Sequence, residues 1–154
     1  MAEYSKQLAA QVEAYLESRN WQFDFDPEKG LFRFRMRLPN RMSNCSMAII
    51  AGEDTIRTYA TAPVTASMDA RPAAANYITR VNFGLNLGNF EMDWRDGELR
   101  YKCAHFCGGG VPAPDALERV VDIPFLMWRR YGDGLLNVLF AGADPAQEIA
   151  KIDG

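Results

Sequence analysis

The sequence predicts an α+β fold, with amphipathic helices packed on one face of a mainly antiparallel sheet. Apolar residues recur at helical spacing near the N-terminus and again in the last third of the chain. Between these segments, apolar and polar residues alternate with a period of two. The strand-like stretches come in runs instead of alternating with helices as βαβ units. The predicted order is helix, four-strand antiparallel meander, helix, β-hairpin, C-terminal helices.

The first helix rests on Tyr4, Leu8, Val12, Tyr15 and Leu16, which share one stripe of the helical wheel. Ser18 to Asn20 end it. In "WQFDFD" (21–26), Trp21, Phe23 and Phe25 face one way and Gln22, Asp24 and Asp26 the other. "PEKG" is a turn. In "LFRFRMRL" (31–38), Phe32, Phe34, Met36 and Leu38 point inward, and Arg33, Arg35 and Arg37 outward. "CSMAIIA" (45–51) and "TIRTYAT" (55–61) flank the turn "GED" and complete the meander. Asp69 is a candidate cap for the second helix, and Pro72 suits a first turn, where no intrahelical donor is lost. Tyr77, Ile78 and Val81 form that helix's apolar stripe, and Gly84 is its stop.

"NFEMDW" (89–94) and "ELRYKCAHF" (98–106) make the hairpin, with Asp96-Gly97 as the turn. Phe90, Met92 and Trp94 share a face, as do Leu99, Tyr101, Cys103 and His105. The last third, "PDALERVVDIPFLMWRRY", is helical, and Pro124 is expected to kink or split it. Gly132 and Gly134 should interrupt it before "LLNVLF". Gly142 closes that piece, and Asp144-Pro145 opens a terminal helix.

The 154 residues suit one domain, 1–154, large enough to fold without disulfides or metal. Apolar residues make up 48% and charged residues 24%, which is globular composition. The net charge of −3 argues against nucleic acid as the main partner. The N-terminus has no signal-peptide pattern, and no apolar run reaches the ~20 residues of a membrane helix. An odd number of cysteines, three, suits a reducing compartment. The expected location is cytoplasmic, away from membrane.

The stretch "YITRVNFGLNLGNFEMDWRDGELRYKC" (77–103) resembles the helix–hairpin signature of the YbjN-type bacterial sensory-transduction regulators. Asn82, Gly84, Leu85, Gly88, Asn89, Phe90, Glu91, Asp93, Asp96, Gly97, Glu98, Arg100 and Tyr101 carry the likeness. The tail "RYGDGLLNVLFAGADPAQEI" is similar to that family's ending, and the likeness extends from about Trp21 onward. The resemblance implies a type III secretion chaperone-like fold, usually homodimeric. It implies no catalytic residues. The stretch "CAHFCGGGVPAP" departs from the family pattern.

That departure holds the most suggestive residues. Cys103, His105 and Cys107 have the parity to share one side of a strand, so their spacing permits three metal ligands. A structural zinc site wants four, and Cys45 would have to come from a distant strand. Buried packing is the simpler account of these thiols. The C-x3-C spacing is also wrong for a redox pair, with no helix start to acidify a thiol. Gly108–Gly110 reads as a flexible turn, because Val111-Pro112-Ala113-Pro114 separates it from any helix start.

The stripe Arg33, Arg35, Arg37 could bind an anion or acidic peptide. Cross-strand pairing with Asp24, Asp26, Glu91 and Asp93 is the plainer expectation. Trp94, Trp128, Tyr77 and Phe125 read as core, with one of them a candidate for a partner surface. Ala70, Ala73, Ala74 and Ala75 would let another chain approach the second helix. A single histidine and solvated carboxylates leave little for catalysis. The sequence therefore points to a non-enzymatic protein-binding module, a chaperone-like or regulatory homodimer without catalytic, cofactor or metal residues. The alternative is a metal- or ligand-sensing protein using Cys103, His105 and Cys107.

Overall fold

Period-two alternation builds the sheet, and the turns between its segments set the strand order. A computed structural model describes residues 3–154. The strands are β1 (Asp24–Asp26), β2 (Leu31–Arg37), β3 (Asn44–Ala51), β4 (Thr55–Thr65), β5 (Asn89–Met92) and β6 (Glu98–Phe106). They form one antiparallel sheet of six strands in the order β1-β2-β3-β4-β6-β5. The hairpin docks its second strand on β4, which leaves β5 at the far edge. The helices are α1 (Lys6–Ser18), α2 (Arg71–Phe83), α3 (Pro114–Ala141) and α4 (Pro145–Asp153). The α+β class and the antiparallel sheet agree with the sequence reading.

One face of the sheet carries the core. Phe32, Met47, Ile49, Ile56, Ala60, Leu99 and Tyr101 are buried there, with Leu8, Val12 and Leu16 of α1 and Val121, Trp128 and Leu135 of α3. Burying such side chains supplies about 1.5–3 kcal/mol each. The Trp128 indole N–H donates to the Ala60 carbonyl at 2.8 Å, so its one polar atom is satisfied inside the core. Tyr77 is equally buried and donates to the Tyr131 carbonyl, tying α2 to α3.

Several boundaries differ from the expected ones. β1 begins at Asp24, not Trp21. α1 ends in a Schellman turn with Asn20 at φ 58°, Asn20 N–H on the Glu17 carbonyl and Trp21 N–H on the Leu16 carbonyl. That turn throws Trp21 toward the helices, where it stacks on Phe34 and meets Tyr15 and Phe125 edge-on. β4 runs four residues past Thr61, through Pro63, because the β4–β6 register breaks between Thr61 and Thr65 and no ladder donor is needed there.

The second helix is capped differently. Ser67 accepts from Ala70 N–H and opens a 3₁₀ turn (Met68–Ala70) that leads into α2, while Asp69 stays exposed. β5 stops at Met92, so Trp94 falls in the hairpin turn and is 56% exposed, not core. Tyr77, Phe125 and Trp128 are buried as expected.

The largest correction is α3, an uninterrupted helix of 28 residues. Pro124 is buried within it and does not split it. The extensive packing of α3 on the core outweighs the one lost donor. Gly132 and Gly134 are contact points rather than breaks. A Cβ on Gly132 would lie 3.2 Å from Asn40 Nδ2 and 3.3 Å from Met42, and one on Gly134 would run into the Tyr77 hydroxyl. Gly142 ends the helix at φ 64°, and Asp144 caps α4 by accepting from Gln147 N–H.

Candidate functional site on the open face of the sheet

The alternation that sends Phe32, Ile49 and Ile56 inward sends a second set outward. Arg33, Arg35, Arg37, Ser46 and Arg57 are exposed, and Ala48, Tyr59, Thr61, Arg100 and Lys102 half-buried. Register aligns them in rows. One runs Arg33, Ala48, Tyr59, Lys102; the next runs Arg35, Ser46, Thr61, Arg100, Glu91. Ala48 in the first row and Ser46 and Thr61 in the second are small. They floor an open depression of about 330 Å³, whose lining includes Asp24, Arg33, Arg35, Ser46, Ala48 and Thr61. The β2 arginines wall one side. On the other, the Arg100 guanidinium lies 4.3 Å over the Tyr59 ring.

Charge on this face is divided unevenly. Glu91 bonds Arg100 at 2.8 Å and Lys102 at 3.0 Å. Partial burial raises the Glu91 pKa, but those two cations outweigh it and hold the carboxyl below its usual range. Asp93 is taken by Arg95 at 2.8 Å, which lowers its pKa to about 2. Among the described residues, Arg33, Arg35, Arg37 and Arg57 make no ion pair. The expected pairing with Asp24, Asp26, Glu91 and Asp93 is therefore overturned. Glu91 and Asp93 belong to the β5 hairpin at the opposite edge from β1–β2. Asp26 accepts from Glu28 N–H in the β1–β2 turn, and the Asp24 carboxylate makes no ion pair with Arg33, although the two residues are directly opposite in the ladder.

The Cys/His stretch is placed differently. Cys103 is 5% exposed on the inner face, opposite Thr58, and His105 is half-buried opposite Ile56. Cys107 lies past the end of β6, its N–H on the Asp54 carbonyl and its thiol 3.8 Å from the His105 carbonyl. Cys45 is on β3, with β4 between it and β6, so the strands are about 9–10 Å apart. Its thiol lies 3.8 Å from the Met47 sulfur, and burial pushes its pKa up to about 12. Burial also raises the Cys103 and Cys107 thiols. All three cysteines are free, and among the described residues no three His, Cys, Asp or Glu side chains converge to hold a metal ion. Gly108 and Gly109, at φ 61° and 82°, form a turn.

The residues that carry the YbjN-type resemblance interlock as a folding unit. The Asn82 amide donates to the Phe90 carbonyl at 2.9 Å and accepts from Phe90 N–H at 2.8 Å. The Tyr101 hydroxyl donates to the Leu87 carbonyl. Gly97, at φ 79°, lies directly against the Ala66 backbone. The alanines of α2 also serve the chain itself, since Ala74 is fully buried and Ala73 packs on the core.

Two features escaped sequence reasoning. Asp122 is 7% exposed on α3 and accepts from the Tyr15 hydroxyl at 2.8 Å and Arg19 at 3.0 Å, locking α1 to α3. Burial raises its pKa beyond what Tyr15 and Arg19 offset. Its only signal is a lone acid among apolar neighbours. Arg57 and Tyr59 join the open face, as the alternation in "TIRTYAT" requires once Ile56 is inward. No helix is long and apolar enough to cross a membrane among the described residues. No family model and no curated protein matches the chain.

Proposed function

We propose that this chain is a non-enzymatic protein-binding module, a chaperone-like or regulatory homodimer of the YbjN type, acting in the cytoplasm. It holds a segment of another protein on the open face of its sheet. The carrying observation is the unneutralised row Arg33, Arg35, Arg37 with Arg57, beside a trough floored by Ser46, Ala48 and Thr61. Exposed arginines without carboxylate partners are poor contributors to stability, and they suit recognition of acidic groups through their planar donors.

A binding role also fits the surface elsewhere. Among the described residues, the depressions beside Asp93, Tyr4, Arg37 and Trp21 are open, and none of these four gathers buried, convergent polar groups of the kind chemistry needs. Phe83, at 95% exposed, and Phe140, at 68%, leave helix ends available for a second copy.

The test is crosslinked capture from the native cell with wild type and an Arg33→Gln/Arg35→Gln/Arg37→Gln variant, together with light scattering. A partner captured by the wild type and lost by the variant is expected, as is a dimer mass. Identical capture by both removes the open face from the account, and a monomer at high micromolar concentration removes the homodimer.

A further inference from the structure

The backbone of β2 is paired along only part of one side. Leu38 N–H bonds the Ser43 carbonyl at 2.8 Å and Ala51 N–H bonds the Gly30 carbonyl at 2.9 Å. With the β2–β3 register, these bonds make Phe32, Phe34 and Met36 the residues whose backbone groups face β3. Leu31, Arg33, Arg35 and Arg37 therefore turn theirs the other way. β1 covers Leu31 and Arg33, opposite Asp26 and Asp24, and goes no further because residues 21–23 leave the sheet. Arg35 and Arg37 each keep an N–H and a C=O without a partner among the described residues. A groove of about 630 Å³ runs beside Arg35, between Trp21–Asp24 and Arg33–Arg35.

The far edge is closed at its centre, with Met92 left open beyond it. On β5 the Asn82 amide occupies both backbone groups of Phe90. Among the described residues β2 offers two successive outward-facing strand residues without a partner, against single ones at Phe25 and Met92, so strand addition is best placed there. The occupant is selected by charge. A second copy added through the same edge would set Arg35 and Arg37 against their own equivalents, which like-charge repulsion disfavours. An acidic strand would place its carboxylates on the arginine side and its alternate side chains toward half-buried Phe34 and Met36.

The geometry points to β-augmentation at Arg35–Arg37 by an extended partner segment in which Asp or Glu alternates with apolar residues. This assignment rests on the protein-binding reading above and specifies its surface, mode and partner chemistry.

The probe is an eight-residue capped peptide of alternating Glu and Val, followed by amide exchange at each residue of the protein. Two further versions carry N-methyl groups on all Glu amides or on all Val amides. The alternating peptide is expected to slow exchange at Arg35 and Arg37 at least tenfold and to leave Phe90 unchanged. One N-methylated version should lose binding at least tenfold while the other retains it, because only one set of amides faces β2. Arg35→Glu/Arg37→Glu should lose it as well. Equal binding by both N-methylated peptides would overturn strand addition and leave a purely charge-based protein contact standing. Protection of Arg35 and Arg37 that grows with protein concentration, without peptide, would overturn the acidic occupant in favour of a second copy. If neither this peptide nor one with its Glu and Val in separate blocks binds, the augmentation and the acidic-partner reading both fail.

Discussion

The two edges of this sheet solve the same problem differently. At β5, the side chain of Asn82 imitates a neighbouring strand, giving and accepting one hydrogen bond at Phe90. α2 brings it there, and Gly88 and Tyr101 hold the intervening loop close to β6. At β2, the chain turns away after three paired residues, and the remaining backbone groups sit between arginines. An edge sealed at its centre is a folding device. A charged but unsealed edge resists self-pairing and stays available to a complementary strand.

The first way to break this contrast is Gly88→Ala. Gly88 sits at φ 72°, and a Cβ there would lie 2.5 Å from the Lys102 carbonyl and 2.6 Å from the Tyr101 ring. A loss of about 3–4 kcal/mol in urea unfolding is expected; a loss under 1 kcal/mol would mean the β5 edge is not held as described. Asn82→Ala comes next. It leaves the Phe90 N–H and C=O unpaired and should cost about 2 kcal/mol, with concentration-dependent self-association by sedimentation. Arg35→Ala should change stability by less than about 0.5 kcal/mol. Equal costs at the two positions would erase the distinction.

Thr58 lies mid-sheet, fully buried, with its hydroxyl unpartnered. Thr58→Val should stabilise by about 1 kcal/mol without touching either edge, and a destabilised variant would point to a bond made by that hydroxyl.

The smallest effect is pH dependence, with opposite signs for two carboxylates. The pKa of Glu91 is depressed in the folded protein, so its contribution is present above the ordinary carboxylate range and is lost as pH falls through the depressed value. That of Asp122 is raised, so its contribution is full below the ordinary range and is lost as pH rises through the raised value. Unfolding across pH 2–7 should therefore show wild type gaining on Glu91→Gln with rising pH and losing ground to Asp122→Asn. The same slope for both would contradict the assignment.

Much of the fold was legible because its signals are local. Alternation in "LFRFRMR" and turn residues at Asp96-Gly97 place strands without knowledge of their neighbours. What was illegible depended on neighbours. Nothing in "DWRDG" says that Trp94 lies past the last ladder bond. Pro124, Gly132 and Gly134 predict breaks by propensity, and the packing of α3 on Asn40, Met42 and Tyr77 overrides them. The open face was half legible. The arginine stripe stood out, but its lack of carboxylate partners follows from sheet order, which places Glu91 at the opposite edge. The Cys103–Cys107 stretch drew attention by rarity of residue type, while burial and strand order decide its role.

Amide exchange in the free, dilute protein reads both edges in one experiment. Phe34, Met36 and Phe90 should be protected, and Arg35 and Arg37 should exchange at rates near those of an open chain. Arg35 and Arg37 amides as slow as those of Phe34 and Met36, or a Phe90 amide as fast as theirs, would contradict the account.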